Sequence, residues 1–160
     1  MWILQEQKTG FFSPIQREQL SVLFKSIFPG NKEKKIPDAE EAGAVNFLDL
    51  LLARDQSVYY EIQKWKINYP QWLSALNVQS LELFKSELQS ITQDQATLLI
   101  EKLEKGTLVN FNSEGQVLEQ VPVFDSLRRH CIQGCFSDPR WGGNKNNIMW
   151  QAYGYQEDLK

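Results

Sequence analysis

Three residues whose side chains could take part in redox or metal chemistry lie close together in the sequence: His130, Cys131 and Cys135. A structural zinc site normally has four ligands, and at most three are available here. The Cys-x-x-x-Cys spacing also differs from the Cys-x-x-Cys of thioredoxin-like redox motifs. Because Cys131 shares a helical face with apolar neighbours, we expect two buried thiols, with a local disulfide and a metal or redox site as the alternatives.

The single histidine of the chain, His130, is one position away from the apolar face of the same segment. This position predicts a histidine at the surface or at a helix end rather than a general base. No nucleophile motif surrounds it. One histidine also excludes most metal sites and most Ser-His-Asp arrangements.

The acidic residues have positions that favour structural roles. Asp38, Glu40 and Glu41 cluster at a predicted helix start, where carboxylates interact favourably with the helix dipole. Asp49 and Glu61 are isolated from other reactive residues in the sequence. We therefore assign no residue of this chain to catalysis, to cofactor binding or to a metal site.

The segment from residue 136 to residue 155 combines aromatic side chains with paired glycines. Its Trp-Gly-Gly-Asn sequence at 141–144 lacks both Gly-x-Gly-x-x-Gly and a following Gly-Lys-Ser/Thr, so it is not a phosphate loop of known type. Two interpretations stay open, and they are not exclusive. The segment folds back with its aromatics in the core, or it docks on a partner protein, since Arg140 and Trp141 are residue types enriched at interface hot spots.

Helix signals dominate the elements that must position these residues. Three capping boxes predict helix starts, at Ser13–Gln16, Asp38–Glu41 and Thr92–Gln95. Apolar residues recur at three- and four-residue spacing after each of them. We expect these helices to end at Pro29-Gly30, near Arg54 and at Gly106, respectively.

Two further helical regions complete the pattern. One covers residues 57–69, where Pro70 should end or kink it, and helix-like patterning continues to residue 90 with a break near Asn77. The last long helix includes residues 123–131 and ends at the Ser-Asp-Pro of 137–139. A loop or short hairpin around residues 112–115 precedes it. The predicted fold class is mainly α, a helical bundle with an irregular aromatic and glycine-rich C-terminal segment.

Length and composition are typical of a globular chain. With 160 residues we expect a single domain, 1–160, and hydrophobic and charged fractions of 42% and 23% argue against disorder. The net charge of −3 excludes a basic nucleic-acid surface. No run approaches the roughly 20 apolar residues of a membrane helix. Residues 1–8 show neither the basic region nor the apolar region of a signal peptide.

The C-terminal string from Gly134 to Tyr155 resembles the signature end of the gluconate 2-dehydrogenase subunit 3 family. That signature contains Asp-Pro, an aromatic residue, Gly-Gly-Asn, a Trp and a terminal Gly-Tyr. The upstream order of helices is similar too, so that the resemblance covers about residues 13–155. It supplies the family-motif or partner-interface candidates, which are Phe136, Asp138, Pro139, Arg140, Trp141, Gly142, Gly143, Asn144, Trp150, Gly154 and Tyr155.

The resemblance implies a non-catalytic small subunit of a membrane-associated dehydrogenase for gluconate, other sugars or polyols. A large subunit of the glucose-methanol-choline type would carry FAD and the catalytic residues, and a multihaem cytochrome would be a third subunit. The small subunit would carry no cofactor and would support maturation and assembly of the flavoprotein. The alternative is a stand-alone helical interaction module without a dehydrogenase partner.

Two features depart from the family pattern. No twin-arginine leader precedes the family-like region, and residues 156–160 follow Tyr155 where the family often has Pro-Gly. We expect a periplasmic location if a leader has been removed or the complex is exported, and a cytoplasmic one otherwise.

Overall fold

Helices dominate the structure, a computed structural model that describes residues 10–55 and 57–155. The mainly α prediction is confirmed. The α-helices of the described residues are α1 (Pro14–Ile27), α2 (Ala39–Ala42), α3 (Ala44–Ala53), α4 (Ile62–Phe84), α5 (Gln93–Lys105), α6 (Gln120–Phe136) and α7 (Ile148–Ala152). A two-stranded antiparallel hairpin, β1 (Asn112–Ser113) and β2 (Gln116–Val117), and three short 3-10 helices complete the elements.

The structure does not test the predictions for the two chain ends. The expectations for residues 1–8 and for residues 156–160 lie outside the described residues. Within the described ranges, none of the helices combines the length and apolar character that crossing a bilayer requires.

The three predicted helix starts are confirmed in atomic detail. At α1, the Ser13 hydroxyl accepts a hydrogen bond from the Gln16 N–H at 3.2 Å, and the Gln16 side chain accepts one from the Ser13 N–H at 3.0 Å. The same reciprocal pair forms at the starts of α2 and α5. These local bonds satisfy backbone donors that a helix leaves free, so the sequence alone specifies them.

The helix predicted from Asp38 to Arg54 is wrong in one respect, because Gly43 divides it. Gly43 has a φ of +78°, and its N–H donates to the carbonyls of Ala39 and Glu40. This left-handed turn ends α2, and α3 begins at the next residue. Glycine is the residue that adopts such a φ at little cost, and the break reorients the apolar face of α3.

The predicted break near Asn77 is also wrong, and Pro70 does not end its helix. α4 begins at Ile62, later than expected, and continues through both positions to Phe84. The Asn77 side chain accepts a hydrogen bond from the Leu88 N–H at 2.7 Å, so it ties down the turn after the helix. Burial of one aromatic face of α4 outweighs the hydrogen bond that Pro70 cannot donate.

Asp49 was expected to be isolated, and the structure contradicts this. Its carboxylate is buried, accepts a hydrogen bond from the Phe12 N–H at 2.7 Å and pairs with the half-exposed Arg17 guanidinium. These two contacts tie α1 and the segment before it to α3. The Asp49 carboxylate can be buried within an apolar stripe because Arg17 and the Phe12 N–H pair with it. Its role is therefore structural.

Helix α6 is the central element of the bundle and contacts α1, α2, α3 and α5. It contributes Phe124, Leu127, Cys131 and Cys135 to the buried core. Large side chains of α1, α3, α4 and α5 fill the remaining space; the most deeply buried are Leu20, Leu23, Phe24, Leu48, Leu52, Ile62, Tyr69, Leu73, Leu76, Leu99 and Leu103.

Three chain segments cross at Gly134, near the end of α6. A Cβ atom on Gly134 would lie 2.7 Å from the Cα of Ala44 in α3. On its other side, the Gly134 carbonyl accepts a hydrogen bond from the Asn144 N–H at 2.9 Å, and a Cβ on Gly143 would overlap that carbonyl oxygen. The packing of α3, α6 and the C-terminal segment thus requires two glycines.

We expect Gly134→Ala to destabilise the protein, although helix propensity alone would predict a gain of roughly 0.5–1 kcal/mol. The added methyl meets backbone, which cannot move aside, so the loss should be about 1–3 kcal/mol in the free energy of urea unfolding. Arg128→Ala, at an exposed position of the same helix, is the matched control and should change stability by less than about 0.5 kcal/mol. Stabilisation by Gly134→Ala would contradict the close approach.

Candidate functional site

The C-terminal candidate residues lie together on a segment that folds back over α3 and α6. Asp138 caps the short 3-10 helix Pro139–Trp141, because its carboxylate accepts a hydrogen bond from the Arg140 N–H at 2.9 Å. This bond also lowers the pKa of Asp138. The chain then turns at Gly142, whose φ is +100° and whose carbonyl accepts a hydrogen bond from Asn46 at 2.9 Å.

The side chain of Asn144 holds this segment together through hydrogen bonds to its backbone. It is fully buried, its side-chain amide donates to the Ser137 carbonyl at 3.0 Å, and its side-chain oxygen accepts from the Met149 N–H at 2.9 Å. The Trp150 indole donates to the Phe136 carbonyl at 2.8 Å. The Gly-Gly-Asn and Trp parts of the motif therefore fix the backbone of the segment.

The remaining candidates are more accessible. Arg140, Gly154 and Tyr155 are exposed, whereas Phe136, Pro139 and Trp141 are half-buried. Tyr153, which was not among the predicted site residues, is 55% exposed and packs edge-on against Phe136 at 5.3 Å between ring centroids. The segment thus has buried residues that determine the path of its backbone and exposed residues that are available for contact with a partner.

A cavity of about 730 Å³ lies beneath this segment. Its walls come from α3, from residues 58–61, and from α4, α6 and the Pro139–Trp141 helix. Most of the lining is apolar or aromatic and includes Phe47, Leu51, Tyr59, Trp65, Phe136 and Trp141. Glu61, expected to be isolated, also lies on the wall. No local motif marks this cavity, since its walls are distant in sequence.

Arg54 is a buried cation on the cavity wall, and no sequence pattern indicated this role. The side chain follows the end of α3, is only 5% exposed, and lies over the Trp141 ring with the guanidinium carbon 4.5 Å from the ring centroid. Burial lowers the pKa of Arg54, although an arginine remains charged. Among the described residues, its Nε and Nη2 have no hydrogen-bond partner.

The prediction that His130 lies at the surface or at a helix end is wrong. The imidazole is fully buried, with its Nδ1 2.6 Å from the Tyr69 hydroxyl and the Trp65 ring edge-on at 4.5 Å. Helix α4 covers this side of α6, so α6 is buried on more than its most apolar stripe. Burial lowers the pKa of His130 to about 4, and the nearby Arg129 acts in the same direction.

Both cysteines are free, buried thiols, which confirms the first of the alternatives proposed for them. The Cys131 sulfur lies 3.6 Å from the Phe24 carbonyl oxygen. The pKa of the Cys131 thiol is raised, mainly by its contact with the Cys135 side chain and further by burial. Cys131 therefore remains protonated at neutral pH. Within residues 10–55 and 57–155, no group of three His, Cys, Asp or Glu side chains is placed to hold a metal ion.

The buried neutral His130 should make stability depend on pH. In the unfolded chain its pKa is near 6.5, whereas in the folded protein it is about 4, so only the unfolded state gains the proton between these values. Stability therefore falls as the pH is lowered through this window, by about 2 kcal/mol between pH 7.5 and pH 5.

Urea unfolding of the wild type and of His130→Gln at both pH values tests this. The variant should lose about 2 kcal/mol less than the wild type over the same pH interval, because the carboxylates titrate in both proteins and cancel in the comparison. Equal pH dependence of the two proteins would show that His130 is accessible to protonation in the fold.

The comparisons with known proteins agree with the C-terminal motif. The family model described as "Gluconate 2-dehydrogenase subunit 3" matches residues 14–156, nearly the whole chain. Neither a curated protein nor a solved structure gives a significant match. The match covers the bundle as well as the motif, and the chain therefore belongs to the gluconate 2-dehydrogenase subunit 3 family.

Proposed function

We propose that this chain is the non-catalytic small subunit of an FAD-dependent dehydrogenase complex that oxidises gluconate, another sugar or a polyol. The flavin and the catalytic residues belong to a large partner of the glucose-methanol-choline type, and a multihaem cytochrome is a further partner. The chain supports maturation and assembly of the flavoprotein. The observation that carries this proposal is the family match over residues 14–156.

The fold of the C-terminal segment supports a docking role. The side chains of Asn144 and Trp150 form hydrogen bonds that hold the backbone of the segment in one conformation. Little conformational entropy would therefore be lost when a partner binds. Its outer face presents Tyr153 and Tyr155, which are 55% and 56% exposed, together with the exposed Arg140. Tyrosine and arginine are residue types that dominate interface energetics. We assign the flavoprotein contact to this outer face.

Purification of the affinity-tagged chain from its native source under mild conditions tests the proposed function. The eluate is scanned for flavin absorbance, and its polypeptides are identified by mass spectrometry. A co-purifying FAD-containing polypeptide of the dehydrogenase type is the expected result. A colourless single chain would contradict the accessory-subunit function and favour a stand-alone interaction module.

The double variant Tyr153→Ala/Tyr155→Ala should weaken the association with the flavoprotein. Loss of two aromatic contacts of hot-spot type should lower the affinity by roughly 10-fold or more. The measurement is the flavin absorbance retained per mole of tagged chain, together with the thermal midpoint.

The matched control is Val109→Ala/Val117→Ala. These side chains are 70% and 84% exposed and belong to the hairpin region. The control should retain the flavoprotein, and both double variants should unfold near the wild-type temperature, since the changed side chains are largely exposed. Full retention by the tyrosine variant would place the contact elsewhere.

A further inference from the structure

The cavity beneath the C-terminal segment contains an unusual concentration of unpartnered polar atoms. In the described part of the chain, the buried side-chain nitrogen and oxygen atoms without a hydrogen-bond partner are Arg54 Nε and Nη2, His130 Nε2 and Ser137 Oγ. All three residues line this one cavity. Buried polar atoms in folded proteins are normally paired, so this clustering indicates groups that a ligand satisfies.

The unpartnered atoms can all act as donors. Arg54 presents the N–H groups of its guanidinium, and Ser137 presents a hydroxyl. The Tyr69 hydroxyl and His130 Nδ1 share a hydrogen bond of 2.6 Å. We assign Tyr69 as its donor, which puts the hydrogen of the neutral His130 ring on Nε2. Arg54 follows α3, whereas His130 and Ser137 belong to α6 and its C-cap, and these donor groups lack acceptors among the described residues. Of the three, the charged Arg54 guanidinium is the group that an oxyanion complements best.

The charges on the cavity wall also favour an anion. The lining residues include two arginines, Arg54 and Arg129, and one carboxylate, Glu61. Neither guanidinium forms an ion pair with Glu61 among the described residues. The Trp141 ring beneath Arg54 holds the guanidinium in place without neutralising its charge.

The rest of the cavity wall is apolar and favours a ligand with a hydrocarbon part. Phe47, Leu51 and Trp65 line the cavity, and its volume of about 730 Å³ lies within the 300–1,000 Å³ that is typical of small-molecule sites. One acidic side chain of a partner protein would fill little of this space. The arrangement of planar Arg fork and apolar walls fits a flat carboxylate on a hydrocarbon body.

We propose that this cavity binds a small aliphatic or aryl carboxylate. The Arg54 guanidinium holds the carboxylate, and the hydrocarbon part lies against the apolar and aromatic wall. This site belongs to the chain alone and does not depend on the proposed role in a dehydrogenase complex.

The first test uses the purified chain and two probes of similar shape, 4-phenylbutanoate and 4-phenylbutanamide. Binding is measured by calorimetry and by tryptophan fluorescence, because Trp65 and Trp141 lie on the wall. The carboxylate should bind at least 10-fold more tightly than the neutral amide. Equal affinities, or no binding of either probe, would overturn the proposal.

The second test uses Arg54→Met, which keeps an apolar stem and removes the charge. This variant should lose the preference for the carboxylate, with the affinity ratio falling to near one while amide binding persists. Arg128→Met is the control, since Arg128 is exposed and does not line the cavity. An undiminished preference in Arg54→Met would overturn the proposal.

Arg54→Lys covers the case in which Arg54→Met does not fold. It retains the charge but loses the planar fork, so the carboxylate preference should fall several-fold without disappearing. An unchanged preference in this variant would also count against the assigned geometry. If the wild-type chain binds neither probe while Arg54→Lys loses the flavoprotein, the cavity is part of a protein interface and the small-molecule site is refuted.

Discussion

The backbone crossing at Gly134 is the constraint on which the rest of the structure depends. Helix α3 approaches one side of this glycine, and the Gly-Gly-Asn turn of the C-terminal segment approaches the other. No side chain fits between them, so the three segments keep a fixed distance and angle. The Gly-Gly-Asn part of the family motif therefore serves first to pack the C-terminal segment against the bundle.

This crossing also creates the cavity. Where α3, α6 and the C-terminal segment meet, Arg54 lies over the Trp141 ring on the wall of a cavity that His130 and Ser137 also line. Arg54 follows α3, Trp141 belongs to the folded-back segment, and His130 is held from below by Tyr69 of α4. The same geometry leaves Tyr153 and Tyr155 on the outside. The same short segment thus borders the cavity on one side and exposes two tyrosines on the other.

The sequence predicted what local interactions determine and missed what tertiary packing determines. Capping boxes at Ser13, Asp38 and Thr92 are set by residues three apart, and all were predicted. The break near Asn77 and the surface position of His130 were wrong, and of the two outcomes expected at Pro70 the helix end does not occur. Packing of α4 against the bundle overrides a local breaker and buries a polar face. Arg54 could not be found, since its environment comes from distant segments. The family motif was the one local signal that pointed to the C-terminal segment.

Cross-linking mass spectrometry on the native assembly is the most direct test of the central claim, that this chain docks on a flavoprotein through its C-terminal segment. Lys145 is exposed on that segment, whereas Lys102 and Lys105 lie in the last turn of α5. The account predicts lysine-reactive cross-links from Lys145 to an FAD-containing dehydrogenase polypeptide. Cross-links to that polypeptide only from Lys102 and Lys105, or to no flavoprotein at all, would contradict it.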